Sequence, residues 1–294
     1  MSPPAIVDHR IAVADGLALH ARDWRPERPS GAAALCLPGL SRPLDDFTEL
    51  AEFLASPQGG NRRVIALSAR GRGASDRDPD PKRYDVAVET GDVFATLAAL
   101  DLTRVAVVGT SRGGLQAMML AAMKPDALAA VVLNDVGPVV EAAGLARIRD
   151  YLSADVAPPT NWADAAERVA ALMGPGFPAL GQADFERVAR RTWRETPDGL
   201  RPQSDPALVA TFAALDLTKP MPALWPLFDA LAKTPLMTVR GATSDILSRD
   251  TFAAMRARRP DMTAFETPGQ GHAPQLADRP TLEAIRRFLD QAGA

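Results

Sequence analysis

Gly109-Thr110-Ser111-Arg112-Gly113-Gly114 lies between two apolar runs, Thr103-Arg104-Val105-Ala106-Val107-Val108 before it and Leu115 to Met123 after it. The first run is short and β-branched and reads as a buried parallel strand. The second is made of strong helix formers and reads as a buried helix. A serine at such a strand-to-helix turn stands above the sheet edge. Its flanking glycines are needed because a Cβ there would strike the neighbouring strand or helix. The helix beginning beside Ser111 aims unsatisfied N–H groups and its positive dipole end at any negative charge that develops there. The bland alternative is a Gly-rich turn whose serine only caps the helix. A reactive serine needs a base and an acid elsewhere in the chain, and a capping serine needs neither.

The 294 residues suffice for one large core, or for a core with a smaller domain. With 33 Lys and Arg against 36 Asp and Glu, the formal charge of −3 gives no electrostatic case for nucleic acid or an anionic membrane. MSPPAIVDHR carries charges without an apolar segment, so no signal peptide is expected. No stretch approaches the roughly 18 apolar residues of a membrane span, which leaves a soluble, cytoplasmic protein as the expectation. The one cysteine, Cys36, sits in the apolar run Ala32 to Leu37 and reads as a buried structural thiol.

Residues 6–14 and 17–25 are strand-like, and Asp15-Gly16 between them signals a hairpin that carries His9 and His20 as ordinary surface or edge histidines. A third strand, 32–37, ends in Pro38-Gly39-Leu40-Ser41-Arg42-Pro43, with Asp45 to Ala55 helical after it. Gly39 lets the backbone turn so that the Leu40 N–H faces a site at the strand end. A fourth strand, Arg63 to Ala69, leads into Arg70-Gly71-Arg72-Gly73-Ala74-Ser75-Asp76. With Asp76 where a glycine belongs, this is no dinucleotide fingerprint, and Arg70 and Arg72 read as loop braces. Tyr84 to Leu100 is an amphipathic helix. The sixth strand, Ala129 to Leu133, ends in Asn134-Asp135. Helical stretches at 141–153, 161–173, 182–194, 206–215 and 222–232 follow without βα alternation, so residues 138–232 are expected to form a helical cap over the strand ends. Alternation resumes with strands at 235–240 and 262–266 and helices at 248–258 and 280–291, which makes 1–137 and 233–294 the core.

The strand-end loops after Ser111 hold the residues a serine nucleophile needs. His272, in Gly269-Gln270-Gly271-His272-Ala273, is the only histidine in such a loop and can take and return the serine proton. Asp245, one βαβ step earlier, is the expected orienting acid, in the chain order Ser, Asp, His. Asp245 could instead cap the following helix, and Asp135, at the end of the preceding strand, is the rival acid.

With these residues in hand, the chain resembles the α/β-hydrolase superfamily over nearly its full length. The likeness rests on GTSRGG, LPGLSR, RGRGASD, the helical segment after the sixth strand, and the closing SD and GHAP loops. It implies a mostly parallel sheet flanked by helices, a helical lid, a Ser111–His272–Asp245 triad, and an oxyanion hole made by the backbone N–H groups of Leu40 and Arg112. Pro38 departs from the pattern, since many relatives carry histidine there.

The function so implied is cofactor-independent hydrolysis of an ester, lactone or thioester of a small, mainly apolar molecule. Serine at the turn argues against the dehalogenases and epoxide hydrolases of this fold, which use a carboxylate. Three scattered histidines offer no metal-ligand spacing, so no metal is expected. Carbon–carbon bond hydrolysis, acyl transfer, perhydrolysis and slow-turnover ligand reception use the same triad, and fold analogy does not separate them. Trp162, Trp193, Trp225, Met173, Phe177 and Phe228 are candidate pocket walls or simply cap core. A substrate carboxylate met by Arg70, Arg72 or Arg112 is the remaining open possibility.

Overall fold

The structure is a computed structural model and describes residues 3–294. Ten strands form: β1 (Ala5–Ala12), β2 (Ala18–Arg25), β3 (Ala33–Leu37), β4 (Val64–Leu67), β5 (Val105–Thr110), β6 (Leu128–Asn134), β7 (Trp193–Thr196), β8 (Gly199–Pro202), β9 (Leu236–Gly241) and β10 (Thr263–Thr267). Eight of them make one sheet in the order β1-β2-β4-β3-β5-β6-β9-β10. β1 and β2 form the expected hairpin, and β2 pairs antiparallel with β4; every other pairing in the sheet is parallel. Gly16 holds φ at +87°, a value that suits glycine in a hairpin turn.

Helices α1 (Thr48–Ala55), α2 (Val86–Ala99), α3 (Arg112–Met123), α8 (Arg249–Arg258) and α9 (Arg279–Gln291) cover the sheet. The central strands show why both faces are covered, because each buries alternate residues in opposite directions. Leu35, Leu37, Val105 and Val107 pack with Val93 of α2 and Met118 of α3. Ala34, Cys36, Ala106 and Val108 pack with Leu50 and Leu54 of α1 and Phe288 of α9. Cys36 is fully buried, and that burial pushes its thiol pKa up, so it is an inert core residue. Among the described residues no helix is long and apolar enough to cross a membrane.

The chain between β6 and β9 contains α4 (Ala142–Ser153), α5 (Trp162–Met173), α6 (Gln182–Thr192) and α7 (Trp225–Asp229). It departs from an all-helical expectation in three places. Residues 193–202 form the β7–β8 hairpin, where Trp193 and Thr196 favour strand and Asp198-Gly199 turns the chain with Gly199 at φ +96°. Residues 206–212 are a tight 3₁₀ stretch begun by Pro206 and capped by Asp205. The last expected helix shrinks to α7. Trp162, Met173 and Trp193 pack around Phe185 and Val188 within this segment, whereas Trp225 and Phe228 join the core beneath the sheet.

Strand order reverses around β3: the chain moves one way to β4 and then back across to β5. In open α/β sheets the crevice at such a reversal, at the carboxyl ends of the strands, is where ligands bind. The loops after β3 and β5 therefore face each other, with Leu37 in register with Gly109.

Gly113 fixes how closely α3 approaches β3. A Cβ on it would lie 2.0 Å from the Leu37 carbonyl oxygen, a backbone atom that cannot step aside. Gly91, exposed in the middle of α2, has nothing within 4 Å of its would-be Cβ. Urea unfolding of Gly113→Ala is expected to show a loss of about 2–3 kcal/mol or more from overpacking. Gly91→Ala should gain about 0.5–1 kcal/mol from helix propensity. Equal stabilities for the two variants would contradict this packing.

Candidate active site

Ser111 stands between the end of β5 and the first residue of α3 with φ +52° and ψ −114°, a strained conformation for a non-glycine residue. Close packing enforces it. A Cβ on Gly109 would lie 2.4 Å from the Gly113 carbonyl oxygen, and one on Gly114 would lie 2.3 Å from Cγ1 of Val136. The hydroxyl does not cap α3; its Oγ lies 2.9 Å from Nε2 of His272.

His272 is carried by the loop after β10. Asn134 donates from Nδ2 to the Pro274 carbonyl at 3.0 Å, and Thr243 N–H donates to the Gln270 carbonyl at 3.1 Å. Gly241 lets this loop lie against β9, since a Cβ there would be 2.4 Å from the Gly271 carbonyl oxygen. Nδ1 of His272 is 2.8 Å from Oδ2 of Asp135. A carboxylate can only accept, so Nδ1 carries the ring proton and Nε2 is free to accept from Ser111.

The acid next to His272 is thus Asp135 and not Asp245, which corrects the expectation from chain order. Asp135 is 0% exposed, and two further donors hold its carboxylate: Gly241 N–H at 2.8 Å and Ser244 Oγ at 2.6 Å. Asp245 is 39% exposed at its side chain and forms a two-pronged ion pair with Arg147 of α4, at 2.5 and 2.9 Å. Burial would raise the Asp245 pKa, but the hydrogen bonds and charge of Arg147 outweigh it and hold the carboxyl below its ordinary value. Both aspartates follow strands of one sheet, so chain order cannot separate them. Backbone direction does. Asp135 takes φ +58° at the end of β6, the strand beside β5. The loop after β9 turns at Gly241 and Ser244, sending Ser244 inward and Asp245 out.

The loop after β3 lies against the serine, with the would-be Cβ of Gly39 3.8 Å from Cβ of Ser111. Among the described residues neither the Leu40 N–H nor the Arg112 N–H has an acceptor. The Arg112 side chain is not aimed at the site. It is buried, donating to Glu89 at 2.6 Å and to the Tyr84 carbonyl at 2.7 Å. Arg70 grips Asp92 at 2.8 and 2.6 Å and also pairs with Asp15 and Asp78. Arg72 pairs with Glu89 at 2.6 Å. All three guanidiniums therefore brace loops. His9 and His20 lie in the β1–β2 hairpin, where His20 contacts Asp8 at 2.8 Å.

Sequence reasoning missed Ser244, Gly241 and Glu89. Glu89 did leave a signal: it falls four residues before Val93 and eight before Leu97, on the apolar stripe of α2, where a charge is out of place.

The model for the alpha/beta hydrolase family matches residues 16–285. The chain is 32% identical over 273 residues to the 3-hydroxybutyrate-oligomer hydrolase of Cupriavidus necator, covering 88% of each chain. It is 28% identical to the 2-(acetamidomethylene)succinate hydrolase of Mesorhizobium japonicum, over 77% of this chain and 78% of that one. Among solved structures, an alpha/beta hydrolase from Novosphingobium aromaticivorans superimposes with a TM-score of 0.86 at 38% identity, covering 99% of both chains. With the fold, the Ser111 turn and these likenesses in agreement, the chain belongs to the alpha/beta hydrolase family.

Proposed function

We propose that this hydrolase cleaves short aliphatic esters through an acyl-enzyme, with Ser111 as nucleophile, His272 as general base and acid, and Asp135 as the group that orients His272. The observation that carries the reading is the unbroken hydrogen-bonded series from Ser111 through His272 to the buried Asp135. In the first step Ser111 Oγ bonds to the ester carbonyl carbon while its proton passes to His272 Nε2. The imidazolium formed is stabilised by Asp135 through Nδ1–H. The Leu40 and Arg112 N–H groups receive the negative charge on the former carbonyl oxygen. One such donor is typically worth about 2.7–4 kcal/mol of barrier. As the tetrahedral species collapses, the carbon–oxygen bond to the leaving alcohol breaks and Nε2 returns the proton to that oxygen. Water then repeats the sequence on the acyl-enzyme and releases the acid.

Two observations favour a short aliphatic ester. Ile148, Phe212 and Ile246 form an apolar cluster against which Leu40, Leu145 and Tyr151 pack, so the loop beside Ser111 borders apolar surface. The relative from Cupriavidus necator acts on 3-hydroxybutyrate oligomers, whose linkages are short aliphatic esters. Of the aromatics considered as pocket walls, Phe177 lies beside the histidine loop, with Cε2 3.3 Å from the would-be Cβ of Gly271.

Purified protein assayed by product chromatography should hydrolyse 3-hydroxybutyrate dimers and trimers, and short-chain alkyl esters, faster than sugar esters or amides. Faster turnover of sugar esters, or none of any ester, would overturn the reading. Asp135→Asn should lower kcat by about 10³–10⁴-fold, because the ring loses the acceptor that sets its tautomer. Asp245→Asn breaks a half-exposed ion pair and should change kcat by less than about fivefold. The reverse ranking would return the orienting role to Asp245.

A further inference from the structure

We propose that Arg72 and Glu89 are positioning residues for the two backbone donors beside Ser111, an inference that rests on the hydrolase reading above. The two donors come from the loop after β3 and the first residue of α3, distant in sequence, and both must point at one oxygen position. The Leu40 N–H belongs to the same peptide unit as the Gly39 carbonyl, which accepts from Arg42 N–H at 3.2 Å. The next peptide unit is fixed by Arg72, whose Nε–H donates to the Leu40 carbonyl at 2.5 Å. Pro38, at the start of this loop, has no N–H and no polar side chain, so beside the loop's own Gly39–Arg42 bond Arg72 adds a hold from outside it, on the next peptide unit.

Arg72 is itself tied to the other donor. Its guanidinium donates to Oε1 of Glu89 at 2.6 Å, and Oε2 of the same carboxylate accepts from Arg112 Nε at 2.6 Å. Gln116 adds a bond to Oε2 at 3.1 Å. One carboxylate therefore joins the residue that fixes Leu40 to the residue whose N–H is the second donor. Arg72 and Glu89 are each 1% exposed, and the Arg72 guanidinium also lies over the Tyr84 ring at 5.4 Å. Burial alone would raise the Glu89 pKa, but the charges of Arg72 and Arg112 outweigh it and hold the carboxyl below its ordinary value. Glu89 is thus a charged clamp at neutral pH. Two buried cations sharing one anion are a weak device for stability, whereas rigid aim of two N–H groups is what charge stabilisation at a fixed point requires.

Arg72→Lys tests this with charge retained, since lysine can face Glu89 but has no second donor in the planar fork for the Leu40 carbonyl. The expected result is a kcat 10–100-fold lower, as for about 1 Å of misplacement near the chemistry. KM should stay within about threefold, because the lost interaction acts only in the transition state. Affinity for a trifluoromethyl ketone, which forms a tetrahedral oxyanion on serine, should fall by the same factor as kcat/KM. Glu89→Gln, which keeps the shape of the clamp, should lie on the same line. In parallel, the amide ¹⁵N–¹H resonances of Leu40 and Arg112 should shift in Arg72→Lys. A folded variant with wild-type kcat overturns the proposal, and so does a lower Tm with unchanged kcat, or a rise in KM alone. Absence of turnover and of ketone adduct in the wild-type enzyme would instead defeat the hydrolase reading. The amide resonances still decide whether Arg72 holds the loop, and unshifted resonances in the variant would show that it does not.

Discussion

A carboxylate cut off from water must find hydrogen-bond donors inside the protein, because a buried polar group left unpaired is costly. Asp135 meets that demand with three donors: Gly241 N–H at the end of β9, Ser244 Oγ in the loop after it, and His272 Nδ1 in the loop after β10. These bonds join the ends of β6, β9 and β10, and through His272 Nε2 they reach Ser111 at the end of β5. The requirement that a buried carboxyl group be satisfied and the alignment of His272 with Ser111 are therefore one arrangement. Removing Asp135 would leave donors without acceptors and the imidazole without a fixed orientation.

Close backbone approach is the second constraint. Gly109, Gly113 and Gly114 let β5, α3 and β3 meet at distances no side chain permits, which sets the positive φ of Ser111 and holds its hydroxyl off the helix end. Gly241 does the same for the histidine loop against β9. The strained serine is held by main-chain contacts, so its position is stiff. Around it the buried charges are arranged in pairs and clamps, and Arg70, Arg72 and Arg112 each lock a loop by way of Asp92 or Glu89.

The sheet was legible in sequence because its parallel strands are continuous apolar runs, such as Val105 to Val108 and Ala130 to Leu133, and because Asp15-Gly16 and the glycines around Ser111 have few other uses. Ser111 and His272 were legible for the same reason: each sits in a glycine-bearing loop directly after a strand. The acid was not, because chain order treats Asp135 and Asp245 alike, and the difference lies in a positive φ and a turn that no local pattern announces. The β7–β8 hairpin was hidden because the apolar spacing of α6 runs on through Trp193, so tertiary context decided where the helix stops. Glu89 shows the opposite case, a charge on an apolar stripe whose purpose becomes readable only when Arg72 and Arg112 are seen on either side of it.

The most direct test of the central claim is intact-mass measurement after treatment with a fluorophosphonate, which reacts with a serine whose proton an adjacent base removes. The account predicts one adduct on the wild-type protein, localised by peptide mapping to Ser111, and none on Ser111→Ala. A folded wild-type protein that takes no adduct, or a Ser111→Ala variant labelled as readily as wild type, would contradict it.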